Sequence, residues 1–268
     1  MTSLFVDTHT HIDSTLERSE YTKDFHSFRQ EVICCEQCEK FIHISCEPTT
    51  LDVGWKIINE NDEVFGAFGI HPHEAQHYTD EVEAKLREYI TKGKETGKVV
   101  GFGEIGLDYH YNLSEQAVQK DVFIRQIKLA LTFSLPIVLH LREADEDALH
   151  IIREYIPKDT FIHLHCYTSL PSLAASILAE YPHAYVGITG VVTFKSATNT
   201  HEVVKATPLN RLLLETDAPY MAPIPFRGKT CHSGMIPKIA EKIAALKGVA
   251  IDEVYTQIRQ NTRDCYKI

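Results

Sequence analysis

Asp7-Thr-His-Thr-His11 places two imidazoles two residues apart near the start of the chain. In an extended strand, residues at that spacing point to one face, so the pair offers half of a metal site. The same residue types recur further along: Glu104 in Gly103-Glu-Ile-Gly106, His140 in Leu139-His-Leu-Arg142, His165 in His163-Leu-His-Cys166 and Asp217 in Leu214-Glu-Thr-Asp-Ala-Pro219. Each closes an otherwise apolar run. An ionisable group buried there without a partner costs more than the roughly 2–7 kcal/mol of a neutral polar group. Shared cations would satisfy all of them at once, which makes His9, His11, Glu104, His140, His165 and Asp217 the candidate ligands. Four imidazoles and two carboxylates exceed the needs of one tetrahedral ion, so two divalent ions per chain are expected, with Glu104 in mid-array as their bridge. Magnesium, manganese and zinc all suit such donors, and no lysine ends a strand to supply a carbamylated bridge. Such a pair generates hydroxide near neutral pH and clamps both oxygens of a phosphodiester displacement.

Around this set lie residues with alternative readings. His163 shares the parity of His165, so spacing alone does not say which of them binds metal; one layer deeper, His163 is read as core or as a support of the site. Glu215 stands in the same relation to Asp217, and Asp7 can orient His9. His71 and His73 flank Pro72, where they can donate to a phosphate or simply pack at the rim. Arg142 can stabilise phosphoryl oxygens or pair with Glu143 or Asp145. Lys195 and Arg227 are weaker candidates for a nucleic-acid backbone. Trp55 and Tyr109 are the aromatics considered for base stacking, although the helical pattern around Trp55 favours core packing. Cys35-Glu-Gln-Cys38 has zinc-ribbon spacing but no second pair follows, so a loop or helix surface is expected there.

The elements that must position these groups read as a repeating strand, turn and helix. The apolar runs span 4–9, 41–46, 64–70, 99–105, 136–141, 161–166, 184–188 and 211–216, nearly continuous in hydrophobicity as parallel strands covered on both faces are. Between them, Val82, Leu86, Tyr89 and Ile90 mark a helix with Gly93 as its C-cap. Ile124, Ile127 and Leu131 mark another, started by Ser114. Ala148, Ile151, Ile152 and Tyr155 mark a third stopped by Pro157, Pro171 opens a fourth, and Ile236 to Ile243 form a late one ending near Gly248. Eight such units over one uninterrupted chain predict an α/β TIM (β/α)8 barrel, a single domain over 1–268, with the ligand residues on the rim where barrel enzymes build their sites. No Gly-x-Gly-x-x-Gly follows the first strand, which excludes a Rossmann reading.

Composition narrows the partners. The 27 basic against 37 acidic residues give a net charge of −10, too few cations for a general nucleic-acid binder, so any such role must rest on a local site. The 7 cysteines are an odd number in a chain large enough to fold without staples, and free thiols are expected. No signal peptide and no apolar stretch of roughly 20 residues is found, so a cytoplasmic protein is expected, or a nuclear one in a eukaryote, with no membrane association and no obligate protein partner.

With these motifs in place, the chain resembles the TatD-family deoxyribonucleases of the amidohydrolase superfamily. The resemblance runs over essentially the whole chain and rests on Asp7-Thr-His-Thr-His11, Gly69-Ile-His-Pro-His73, Gly103-Glu-Ile-Gly-Leu-Asp-Tyr109, His140-Leu-Arg-Glu143, His165-Cys-Tyr167, Val192-Thr-Phe-Lys195, Leu213-Leu-Glu-Thr-Asp-Ala-Pro-Tyr220 and Asn261-Thr-Arg263. It implies a metal-dependent nuclease acting 3′ to 5′ on DNA, single-stranded or at ends. By position it implies one metal on His9, His11, Glu104 and Asp217 and another on Glu104, His140 and His165, with Asp217 also orienting the attacking water or taking its proton. Two stretches depart from the family pattern: Thr168-Ser169 stands where Ser-Gly is common, and Thr230-Cys-His232 where Arg-Asn-Glu is common. The ligand chemistry alone is equally open to hydrolysis of a small amide or ester. A binding protein with a vestigial site is the reading that an intact ligand set opposes.

Overall fold

A computed structural model describes residues 4–111 and 113–268. Eight parallel strands follow one another around a sheet in chain order: β1 (Phe5–Thr10), β2 (Cys38–Ser45), β3 (Val64–Phe68), β4 (Val99–Asp108), β5 (Ile137–Arg142), β6 (Ile162–Leu164), β7 (Ala184–Ile188) and β8 (Leu212–Leu214). The seam between β1 and β8 is held by a bridge between Thr10 and Ala218 and by bonds from Asp217 N to His9 O (2.9 Å) and His11 N to Ala218 O (2.8 Å). Asp7 strengthens the seam, accepting from the Thr216 hydroxyl (2.6 Å) and the Thr216 N–H (3.0 Å). The result is the (β/α)8 barrel that the alternation predicts.

The helices are α1 (Ile12–Arg18), α2 (Phe25–Phe28), α3 (Leu51–Glu60), α4 (Asp80–Thr96), α5 (Gln116–Phe133), α6 (Asp145–Tyr155), α7 (Pro171–Glu180), α8 (Thr198–Ala206), α9 (Ile236–Lys247) and α10 (Ile251–Tyr266). Pro171 starts α7 and Gly248 ends α9 in the left-handed conformation, as read from sequence. Two expected caps are placed elsewhere. Gly93 lies inside α4, so close to Val99 that a Cβ would overlap it, and the left-handed cap is Gly97. Ser114 does not cap α5; its hydroxyl donates to His73 O (2.8 Å), tying the loop after β4 to the loop after β3.

Helices pack on the outer faces of the strands, around Phe5, Phe41, Phe68, Phe102 and Ile137, each burial being worth about 1.5–3 kcal/mol. A second apolar cluster joins Val6, Ile42, Ile44, Ala67, Val138 and Leu213 of the strands to Cys265 and Tyr266 at the end of α10. Cys38 opens β2 and is fully buried, rather than on a loop or helix surface, and all seven cysteines are free. Trp55 stacks on Tyr89 at 5.0 Å between α3 and α4, which removes it as a base-stacking residue. Among the described residues no helix is long and apolar enough to cross a membrane.

Candidate metal centre

All six candidate ligands meet at the carboxyl ends of the strands. His9 and His140 lie on β1 and β5, while His11, His165 and Asp217 follow the ends of β1, β6 and β8. Glu104 sits inside β4, which runs further than its apolar pattern suggests. Gly103 and Gly106, at φ 146° and 150°, allow the backbone to pass against β5 there, and a Cβ on either would collide with carbonyl oxygens of Val138 or His140. Asp217 adopts a left-handed conformation (φ 56°), which Asp tolerates better than most residues.

Glu104 Oε2 stands 3.2 Å from His9 Nε2 and 3.9 Å from His11 Nε2, and Asp217 Oδ1 lies 3.8 and 3.5 Å from the same nitrogens. Donors about 2.0–2.1 Å from one tetrahedral ion stand roughly 3.4 Å apart; His9, His11 and Asp217 offer ligand atoms within 4.8 Å of one another, as do His71, Glu104 and His140. Glu104 Oε1 faces the other way, 2.7 Å from His140 Nδ1, 3.4 Å from His165 Nε2 and 3.6 Å from His71 Nε2. Both ring nitrogens of His9 are buried without a hydrogen-bond partner, which fits a residue arranged to hold metal.

The electrostatics agree. Burial alone would raise Glu104, yet the imidazoles of His165 and His9 hold its carboxyl well below the ordinary range. Burial would lower His165, yet Glu104, Glu215 and Asp217 push it up to about 10. His9 is lowered to about 4 by burial and by His165 beside it. The carboxylates of Glu104, Glu215 and Asp217 thus favour positive charge at the centre of the site.

Two further carboxylates stand behind the imidazoles. His140 Nε2 approaches Asp108 Oδ2 at 2.9 Å while its Nδ1 faces Glu104. His165 Nδ1 approaches Glu215 Oε1 at 3.4 Å while its Nε2 faces Glu104 and Asp217. This is the carboxylate–histidine arrangement that orients metal-binding imidazoles. Glu215 takes the expected supporting place, held by the Cys166 N–H (2.5 Å) and His163 Nε2 (2.8 Å), and His163 in turn bonds the Tyr266 hydroxyl through Nδ1 (2.6 Å). Asp7 accepts the His9 backbone N–H (3.3 Å) and does not touch its ring. Asp108 was not singled out from sequence; its place four residues after Glu104 on the strand was the available signal. His43 on β2 is fully buried and accepts the Ile12 N–H on Nδ1 (3.1 Å).

His71 and His73 reach the same cavity. His71 Nδ1 accepts the His73 N–H (3.1 Å), so in the neutral ring Nε2 carries the proton and is a donor. His73 Nε2 lies 3.0 Å from Asp108 Oδ2. Arg142 forms no ion pair with Glu143 or Asp145 among the described residues; its guanidinium lies over the Tyr111 ring at 4.9 Å. Tyr109 is held by Asp147 (2.6 Å), so its hydroxyl points away from a stacking role. Arg227 lies over Phe194 at 4.8 Å, and Lys195 is exposed.

The sequence matches the family model described as TatD related DNase over residues 6–267. The chain belongs to the TatD-related DNase family. This TatD-family chain is a metal-dependent hydrolase. It is 34% identical to the Bacillus subtilis "uncharacterized metal-dependent hydrolase YabD" over 99% of this chain and 100% of that one. It is 35% identical to the human "3'-5' RNA nuclease TATDN2" over 98% of this chain, which spans 35% of the length of that relative. A "3'-5' ssDNA/RNA exonuclease TatD" of Erwinia tasmaniensis is 33% identical over 77% of this TatD-family chain and 80% of its own. In fold, the TatD homologue YJJV of Escherichia coli superposes with a TM-score of 0.87 at 23% identity, covering 100% of both chains.

Proposed function

We propose that this TatD-family hydrolase cleaves phosphodiester bonds of single-stranded DNA from an end, 3′ to 5′, at a pair of divalent cations bridged by Glu104. The observation that carries this reading is the division of the Glu104 carboxylate, one oxygen toward His9 and His11, the other toward His140 and His165. His9, His11, Glu104 and Asp217 would hold one cation, and Glu104, His140 and His165 the other. Bound there, the cations supply a water of lowered pKa and Lewis acidity at the phosphoryl oxygens. The remaining work belongs to side chains of the chain. Asp217 orients the attacking water and accepts its proton. His71 donates from Nε2 to a non-bridging oxygen, and Arg142 and His73 supply further contacts to the phosphate. His165 and His140 keep their orientation because Glu215 and Asp108 fix the opposite ring nitrogens. The names of the human and Erwinia relatives support a nucleic-acid substrate and 3′ to 5′ direction, and extend the expected substrates to RNA.

The shape of the mouth supports action at an end. A cleft of about 800 Å³ is lined by Arg142 together with Glu143, Asp145, Glu146 and Asp147. A phosphate backbone threaded along those carboxylates would be repelled, so a strand terminates near the site rather than running through it. The test is incubation of metal-loaded protein with end-labelled single-stranded DNA, with and without chelator. Stepwise shortening from the 3′ end that chelator abolishes supports the proposal. Turnover of a small amide or ester with no cleavage of DNA sinks it.

A further inference from the structure

Six of the nine large hydrophobic side chains left exposed among the described residues follow the carboxyl ends of strands, around the mouth that holds the candidate ligands. Tyr111 (49% exposed) and Leu113 lie after β4, Leu170 after β6, and Tyr220 (48%), Met221 and Ile224 after β8. The two tyrosines occupy opposite ends of the imidazole array. Tyr220 packs edge-on against His11, with ring centroids 6.5 Å apart, and Tyr111 packs the same way against His73 at 5.6 Å. Each has a guanidinium over its ring, Arg18 at 5.6 Å from Tyr220 and Arg142 at 4.9 Å from Tyr111. In a chain of net charge −10, Arg18 and Arg142 are held on these rings, where each offers a cation to a phosphate. Half-exposed tyrosines beside cations that attract phosphate are the equipment of a single-strand binder.

We infer that Tyr220 and Tyr111 each stack one of the two bases that flank the scissile phosphate. This rests on the phosphodiesterase reading above and adds the part of the substrate it recognises. β8 and β4 lie on opposite sides of the barrel, so the two rings cannot serve bases that remain stacked about 3.4 Å apart as in a duplex strand. The dinucleotide step is splayed, with its phosphate presented to His71 and Arg142 between the two rings. A paired duplex cannot open a step in this way without unpairing, so single strands and frayed ends are selected. Because every base has a flat face, the platforms accept any sequence, and nothing in them distinguishes ribose from deoxyribose.

The experiment uses metal-loaded full-length chain and single-stranded oligonucleotides carrying an abasic residue on one or other side of the cleaved bond. For the unsubstituted protein, removal of either base is expected to raise KM about 5- to 150-fold, the range measured for one lost stacking contact. Tyr220→Ala is expected to abolish the sensitivity to one abasic position and Tyr111→Ala the sensitivity to the other, while Tyr220→Phe and Tyr111→Phe retain it. Metal content by elemental analysis confirms that each variant has kept its site. If both alanine variants retain the full abasic penalty, the stacking assignment is wrong while the phosphodiesterase reading stands. If the unsubstituted protein neither cleaves these strands nor quenches a 2-aminopurine-labelled strand in Ca2+, both fail together.

Discussion

Glu215 Oε1 stands 3.4 Å from His165 Nδ1, on the side of the ring opposite the Nε2 that faces Glu104 and Asp217. The carboxylate is itself fixed by the Cys166 N–H and by His163, in a pocket with no solvent exposure. Glu215→Gln is therefore expected to weaken metal binding about 10- to 100-fold, the usual cost of losing such a backing group. Metal titration followed by activity checks this, and unchanged affinity would separate Glu215 from the site. His163→Ala should leave metal content at saturation intact; loss of the metal would mean that His163, not His165, is the ligand.

Space for the Glu215–His163 pair comes from Gly187 on β7, where a Cβ would overlap both the Glu215 carboxylate and the His163 ring. Neither neighbour is free to retreat, since one is held by Cys166 and the other by Tyr266. Gly187→Ala is expected to destabilise the fold by about 1–3 kcal/mol, as overpacking of a rigid core does. Chemical denaturation of the metal-free protein measures it, and a neutral result would show that the pair can move.

His71 differs from its neighbours in carrying the proton on the nitrogen that points into the cavity. His71→Ala should leave both metals bound and lower turnover of oligonucleotide about 100-fold, as loss of one donor to a developing anion does. Elemental analysis beside steady-state kinetics distinguishes the roles. Loss of one metal ion per chain would make His71 a ligand.

Burial lowers His43 to about 4 from an ordinary 6.5, and its neutral Nδ1 accepts the Ile12 N–H where α1 begins. The unfolded chain thus binds a proton between pH 6.5 and 4 that the folded chain refuses, and stability falls as pH falls through that window. Between pH 7 and 5 the loss is about 2 kcal/mol. His43→Gln, which keeps an acceptor but does not titrate, should lose about that much less than the parent on acidification of metal-free protein. Equal losses in urea titrations at the two pH values would contradict this.

Much of this site is written locally in the sequence. Gly103-Glu-Ile-Gly106 and Leu214-Glu-Thr-Asp217 put charge in or just after apolar runs, and a barrel rim is where five such runs can meet. What escaped is what depends on chain segments remote from each other. Asp108 falls behind His140 because β4 extends four residues past Glu104, a length set by pairing with β5 and not by the apolar pattern. Tyr111 and Tyr220 look like ordinary loop residues until the barrel closes and brings them to either side of one mouth. Gly93 reads as a helix stop, yet tight packing against Val99 requires it inside α4.

Glu104 as the bridge between two cations is the claim on which the function depends. Anomalous diffraction from crystals of the manganese-loaded protein tests it most directly, with Glu104→Ala as its counterpart. Two peaks about 3.5–4 Å apart are predicted, one toward His9 and His11 and one toward His140 and His165, both lost in Glu104→Ala together with at least about 1,000-fold of the activity. A single peak, or a pair of peaks that survives Glu104→Ala, would contradict it.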